Sequence, residues 1–243
     1  MPHAHTIPCS RCGRTVERTP LMVGGKEFTI ARVLCDECAV VVESEILRER
    51  EAQERLQRLQ RWNVMCPSDY RELDSAQLPN APLARVLSWK VTQGGRGLLL
   101  VGPPRVGKTR CAWLLVRRIF LDEAVPVVAV ADTEFGHECM RLVNQTSREW
   151  MQRLCAARVL FLDDVGKAAP TERYRQELYH LIEQRTSWRR PTLVITNLNG
   201  QELSERISNT TGTAIAERLR EFCDVICFDQ PGDFQQPSTK ETS

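Results

Sequence analysis

The chain has 243 residues, room for one full α/β domain and a small appendage, and 42% of them are hydrophobic, which is ample for a buried core. Lys and Arg total 33 against 31 Asp and Glu, a net charge of +2, so bulk charge names no partner and any basic surface must be local. The opening segment, Met1 to Pro8, lacks a basic stretch followed by an apolar one, and no run approaches the roughly 18 apolar residues of a membrane span, so a soluble cytoplasmic protein is expected.

Four of the ten cysteines form the pairs Cys9-Ser-Arg-Cys12 and Cys35-Asp-Glu-Cys38, separated by residues 13 to 34. That is a little longer than the roughly 15 to 20 residues usual between the halves of a zinc site. Two thiolates on each of two tight turns suit a closed, structural, tetrahedral Zn²⁺ site, with free or disulfide-paired thiols as the alternative. Gly13 lets the backbone fold back after the first pair, and Val23-Gly-Gly-Lys26 reads as a hairpin turn. A zinc ribbon or knuckle is therefore expected over residues 1–38, folded by its metal, with His3 and His5 a mobile end rather than ligands. What the ribbon binds is left open.

Residues 39–66 form the expected linker. From Ala39 to about Trp62 it is rich in Glu and Arg, with Ile46, Leu47, Leu56 and Leu59 interspersed and the i,i+4 pairs Glu51/Arg55 and Glu54/Arg58. This is a charged helix, either a solvated spacer or a surface that docks a partner. Cys66-Pro67 and Pro79-Asn-Ala-Pro82 mark the entry to a second domain, residues 67–229, and the polar stretch 230–243 is expected to be a disordered tail.

Gly97 to Thr109, GLLLVGPPRVGKT, runs from a strand-like apolar segment into a loop and then the apolar spacing of a helix. From Gly102 to Thr109 it fits G-x-x-x-x-G-K-[ST], a phosphate-binding loop whose backbone N–H groups wrap phosphates above a helix N-terminus. Gly102, Pro103, Pro104, Arg105, Val106, Gly107, Lys108, Thr109 and Arg110 are the nucleotide-binding candidates. Lys108 would reach the β/γ oxygens and the Thr109 hydroxyl would hold Mg²⁺.

Four further apolar runs follow, at Val125–Asp132, Val159–Asp164, Thr192–Asn197 and Val225–Phe228, alternating with helical stretches. The fold class is thus α/β, a parallel sheet of about five strands covered by helices. Asp163 and Asp164 end one strand at the edge where such sheets place ligands. Asp163 suits a Mg²⁺ held through water, and Asp164 a group that orients or deprotonates an attacking water. Asn197 follows a strand, as a phosphate or water ligand or as a plain turn residue. Arg218 and Arg220 lie on a short helix before the last strand, which by itself reads as a salt-bridged surface. Lys167, Arg185, Arg189 and Arg190 would face nucleic acid or simply line a solvated helix.

Over roughly Cys66 to Phe228 the order of GPPRVGKT, LFLDDVG, RPTLVITN and ERLR resembles the AAA+ ATPases of the DnaC-type helicase loaders and their IstB-type transposition-helper relatives, and Pro67-Ser-Asp-Tyr-Arg71 is similar to theirs too. The resemblance implies the P-loop AAA+ three-layer fold, with Asn197 the sensor asparagine and Arg218 the arginine finger that completes a neighbouring subunit's site. It implies a homo-oligomer with ATP at subunit interfaces that delivers a replicative helicase to single-stranded DNA; a helper acting on duplex DNA and a low-turnover ATP switch are the alternatives. By analogy with zinc-bearing loaders, the ribbon would grip a helicase or recombinase. Arg105-Val106 departs from the family's usual small pair, Asp164 stands where glutamate is usual, and too few residues follow Phe228 for a full helical lid.

Overall fold

A computed structural model of the chain describes residues 5–18, 21–24, 26–28, 33–92, 95–141, 145–208 and 210–228. His3 and the 230–243 tail lie outside them. The chain divides into two compact units, Met1–Gln57 and Arg58–Ser243.

In the first unit, β1 (His5–Pro8) and β2 (Thr15–Arg18) pair antiparallel with Pro8 opposite Thr15, so Cys9 to Arg14 form the connecting turn. Gly13 takes φ 75°, a left-handed conformation that a Cβ disfavours, and its N–H returns to the Cys9 carbonyl at 2.9 Å. The backbone of His5 belongs to this hairpin, where a mobile end was expected. β3 (Leu21–Val23) and β4 (Lys26–Phe28) make a second hairpin with Val23 opposite Lys26, as its glycine pair predicts. α1 then runs from Asp36 to Met65. It starts inside the second cysteine pair, earlier than the charged composition suggested, with Asp36 and Glu37 complementing the positive helix N-terminus.

The two units divide within α1. Trp62, only 3% exposed, and Cys66, 1% exposed, belong to the core of the second unit rather than to a spacer. Trp62 meets Trp113 edge-on at 5.8 Å. The expected Glu54/Arg58 pair is not made: Arg58 donates to the Leu121 carbonyl at 3.1 Å, a partner no local spacing could indicate.

The second unit is a three-layer α/β domain. Its sheet comprises β5 (Gly97–Val101), β6 (Val127–Ala131), β7 (Val159–Asp163), β8 (Thr192–Thr196) and β9 (Cys223–Cys227), all parallel in the order β6-β7-β8-β5-β9. Side chains alternate between faces as the pleat requires. Leu98, Leu100, Val159, Phe161, Leu193 and Ile195 join α2 (Asn80–Ser88), α3 (Lys108–Arg117) and the π-turn Arg118–Asp122 on one side. Leu99, Leu160, Leu162 and Val194 pack on the other against α4 (Asp132–Arg141), α5 (Gln145–Ala156), α6 (Glu172–Ser187), α7 (Gly200–Ile207) and α8 (Thr211–Phe222). β8 is buried along its whole length, which explains its unbroken Thr-Leu-Val-Ile-Thr.

Arg185, offered by the sequence as a surface cation, is fully buried. Its guanidinium donates to Thr192 Oγ1 at 2.8 Å and to the carbonyls of Leu154, Ala157 and Pro191 at 2.8, 3.0 and 2.6 Å. It clamps the chain around the starts of β7 and β8, and burial pulls its pKa down to about 9. Among the described residues no helix is long and apolar enough to cross a membrane.

Candidate functional site

β8 separates β7 from β5, so the residues that follow these three strands lie side by side at the carboxyl edge of the sheet, where α/β folds bind ligands. The chain leaves β5 at Val101 and turns through Gly102 to Gly107 into α3. Gly102 has φ 151°, and a Cβ there would lie 2.3 Å from the Phe228 carbonyl oxygen, so only glycine fits. Gly107, at φ 92°, opens α3, with Leu78 and Pro79 packed 3.4 and 3.5 Å from where its Cβ would stand. Arg105 also takes a left-handed φ, 67°, a conformation that costs a side-chain-bearing residue roughly 1–2 kcal/mol.

Lys108 is 4% exposed, and its ammonium donates to the carbonyls of Gly102 and Pro103 at 2.8 and 2.7 Å and to Asn197 Oδ1 at 2.7 Å. These three neutral acceptors use all its donors but do not cancel its charge, which leaves a buried cation suited to an anionic ligand. Burial pulls the pKa of Lys108 down, and the charges of Asp164 and Asp163 oppose that pull. Asn197 bridges onward, Nδ2 donating to Asp164 Oδ1 at 3.3 Å. The Thr109 hydroxyl donates to Asp163 Oδ1 at 3.2 Å. Asp163 is pushed up to about 6, first by burial and then by the charge of Asp164 beside it. Two adjacent carboxylates next to a hydroxyl fit a divalent cation with oxygen ligands. Asp164 sits at φ 58° and pairs with Lys167 at 3.1 Å.

These groups line a cleft of about 490 Å³, formed by Pro104, Arg105 and Gly107 to Arg110 of the loop and helix start, by Asp164, Lys167 and Asn197, and by Tyr70. Tyr70 was quoted from the sequence only as part of a family likeness. Asp132 was missed altogether. At the start of α4 and 2% exposed, it accepts hydrogen bonds from the Gly166 and Ala168 N–H groups at 3.1 and 2.8 Å and from the Tyr174 hydroxyl at 2.6 Å. It thereby fixes the turn that carries Asp163 and Asp164. Its position right after the apolar run Val127 to Ala131 was the available signal. Thr196 anchors the same turn, donating to the Val165 carbonyl at 2.8 Å.

Arg218 is not brought to this cleft. It lies near the end of α8, which leads into β9 at the amino edge of the sheet, the opposite edge from the phosphate loop. There it pairs with Glu183 at 3.1 Å and sits 5.7 Å from the Tyr179 ring centroid, beside a pocket shared with Arg96 and Arg189. Within one chain the helix therefore shows the salt-bridged surface that its residues suggest.

In the first unit, the sulfurs of Cys9, Cys12, Cys35 and Cys38 all lie within 4.8 Å of one another. Cys12 Sγ and Cys35 Sγ are 3.7 Å apart, against ~3.8 Å between ligands of a tetrahedral Zn²⁺ with Zn–S bonds of about 2.3 Å. The Cys35 N–H donates to Cys9 Sγ at 3.3 Å; the N–H groups of Cys12, Cys35 and Arg11 hold the Cys9 thiol at about 6, while the Cys35 and Cys12 sulfurs push Cys38 up to about 12. Arg11–Glu45 and Arg14–Glu37 ion pairs tie the turn to α1. The set fits a closed zinc site with four thiolates.

A phosphate loop at a helix N-terminus, a hydroxyl–carboxylate pair and a second carboxylate at one sheet edge define a P-loop nucleotide-binding domain. Residues 98–214 match the model of the ATPase family associated with various cellular activities (AAA). The second unit is accordingly a P-loop domain of the α/β class that matches the AAA family over most of its length. The uncharacterized protein YdaV of Escherichia coli K12 is 25% identical over 63% of this chain and 60% of its own length. Rv3427c of Mycobacterium tuberculosis, named for ATP binding in an insertion sequence, is 29% identical over 64% of this chain and 62% of its own. The chain thus spans about three fifths of the curated relatives it matches. The crystal structure of the DnaC helicase loader shares the fold with a TM-score of 0.51 at 19% identity, covering 69% of this chain and 98% of that one.

Proposed function

We propose that the chain binds Mg-ATP and hydrolyses it as a homo-oligomer that delivers a replicative helicase to single-stranded DNA. The observation that carries this reading is the constellation Lys108–Asn197–Asp164 with Thr109–Asp163 in one cleft, while Arg218 stands at the opposite edge of the sheet. Lys108 exchanges its neutral acceptors for phosphate oxygens, and Thr109 and Asp163 hold the metal, which supplies charge neutralisation at the phosphates. Asp164 and Asn197 orient the attacking water. Catalysis here is positioning and charge stabilisation.

Arg218, too far round the sheet for its own cleft, serves a neighbour's. Leaving Glu183 costs little, since an ion pair this exposed is worth about 1 kcal/mol or less. A cation supplied in trans raises phosphoryl transfer by orders of magnitude in related enzymes. The helicase-loader assignment draws on the fold shared with DnaC, and the four-cysteine unit is the part suited to grip the helicase.

The likeness to the insertion-sequence protein favours a second reading, an ATP-dependent helper on duplex DNA. ATP turnover by the zinc-loaded protein, alone, with single strands and with duplex, decides between them, with Lys108→Ala as the background. Stimulation by single strands supports the loader, and stimulation by duplex supports the helper. Turnover at the Lys108→Ala level under all three conditions rejects both and leaves an ATP-binding switch.

A further inference from the structure

The segment between α1 and α2 crosses beside the phosphate loop and is pinned at both ends. Arg71 donates to the carbonyls of Asn63 and Cys66 at 2.6 and 2.9 Å, capping the end of α1. The Asp74 side chain accepts from the Ala76 N–H at 2.9 Å, and Leu78 is buried against the loop side of Gly107. Directly before the first of these anchors stands Tyr70. Its ring stacks on Trp113 of α3 with an interplanar angle of 12° and a centroid distance of 6.1 Å, and Trp113 in turn meets Phe161 edge-on at 5.1 Å. The ring position is therefore set by the core of the domain, and a phenylalanine would satisfy that packing equally well.

The hydroxyl is what packing leaves unexplained. Among the described residues it forms no hydrogen bond, although the residue lines the nucleotide cleft together with Thr109, Asp164, Lys167 and Asn197. Burial raises its pKa, the charges of Asp163, Asp69 and Asp164 add to the rise and that of Arg110 opposes it, so the phenol stays a proton donor. A donor that lines the cleft beside Thr109 and Asp164 suits an anionic ligand there.

We infer that Tyr70 is a nucleotide-contacting residue whose hydroxyl donates to the metal–triphosphate end of bound ATP, so that the segment carrying it distinguishes a nucleoside triphosphate from a diphosphate. The inference rests on the ATP-binding reading above. It adds a contact from outside the phosphate loop and the two acidic and polar strand ends, and it gives the α1–α2 segment a ligand.

The test is equilibrium binding of Mg-ATP and Mg-ADP to the wild-type chain and to Tyr70→Phe, with thermal melting of both unliganded proteins. Tyr70→Phe keeps the stacked ring, so its unliganded melting temperature should match wild type. A hydrogen bond to a charged group is worth enough to predict a loss of about tenfold in Mg-ATP affinity, with Mg-ADP affinity changed less than twofold. Equal losses for the two nucleotides, or no loss for either, would overturn the inference. If the wild type binds neither nucleotide, the ATP-binding reading fails instead, and the wild-type titration separates that failure from the first.

Discussion

The two units differ in what holds them. Among the described residues of the first, the buried apolar side chains are Cys9, Val33 and Cys35, two of them in the four-thiol set. The second closes two apolar clusters on the faces of a five-stranded sheet, with Leu100, Phe161, Leu193 and Ile195 fully buried on one and Leu160, Leu181 and Val194 on the other. One unit is gathered around four thiols that fit a metal and the other around area removed from water. The difference teaches where each is fragile: the first in its four-thiol cluster, the second in its packing and in the polar turn that carries its acids.

The largest effect should come from the metal. Structural zinc contributes on the order of 10 kcal/mol to small domains of this kind, so chelation or Cys12→Ser should unfold the first unit. Hydrogen exchange should show protection lost over residues 5–28 while the second unit still binds ATP; retained protection would make the cysteines incidental. Next is Phe161→Ala, expected to cost about 3–5 kcal/mol of the second unit's stability in denaturant melts without altering zinc stoichiometry. A loss of zinc there would erase the contrast.

Two smaller changes sharpen it within the second unit. Asp132→Asn turns an amide nitrogen toward a site that three donors now address, and should cost about 1–3 kcal/mol and slow turnover by displacing the Asp163–Asp164 turn. Asp163→Asn should have the opposite sign. It removes a buried charge beside Asp164, so the unliganded protein should gain about 1–2 kcal/mol while Mg-ATP binding is lost. Unchanged melting would mean that the neighbouring charges are already screened.

Much of this was legible because it depends on short-range pattern. Leu-Leu-Leu-Val before Gly102, Val-Leu-Phe-Leu before Asp163 and Thr-Leu-Val-Ile before Thr196 announce buried parallel strands, and their ends hold the residues the cleft assembles. What stayed hidden depends on segments far apart in the chain. Arg185 looks like any helical surface cation until carbonyls from residues 154, 157 and 191 surround it. Asp132 ends a run like other strand ends, and only the fold brings Gly166, Ala168 and Tyr174 to it. Trp62 sits in a stretch of Glu and Arg whose composition masks its place in a core. The start of α1 inside the second cysteine pair was obscured because Asp36 and Glu37 read as part of the pair rather than as a helix start.

The central claim is that ATP is hydrolysed between subunits, with Lys108 from one and Arg218 from the next. The measurement is ATP turnover of Lys108→Ala and Arg218→Ala, each alone and mixed in equal amounts. Both should be inactive alone, and the mixture should regain about a quarter of wild-type turnover, the fraction of interfaces that random head-to-tail pairing leaves intact. A mixture no more active than its components, or Arg218→Ala at full rate alone, would contradict it.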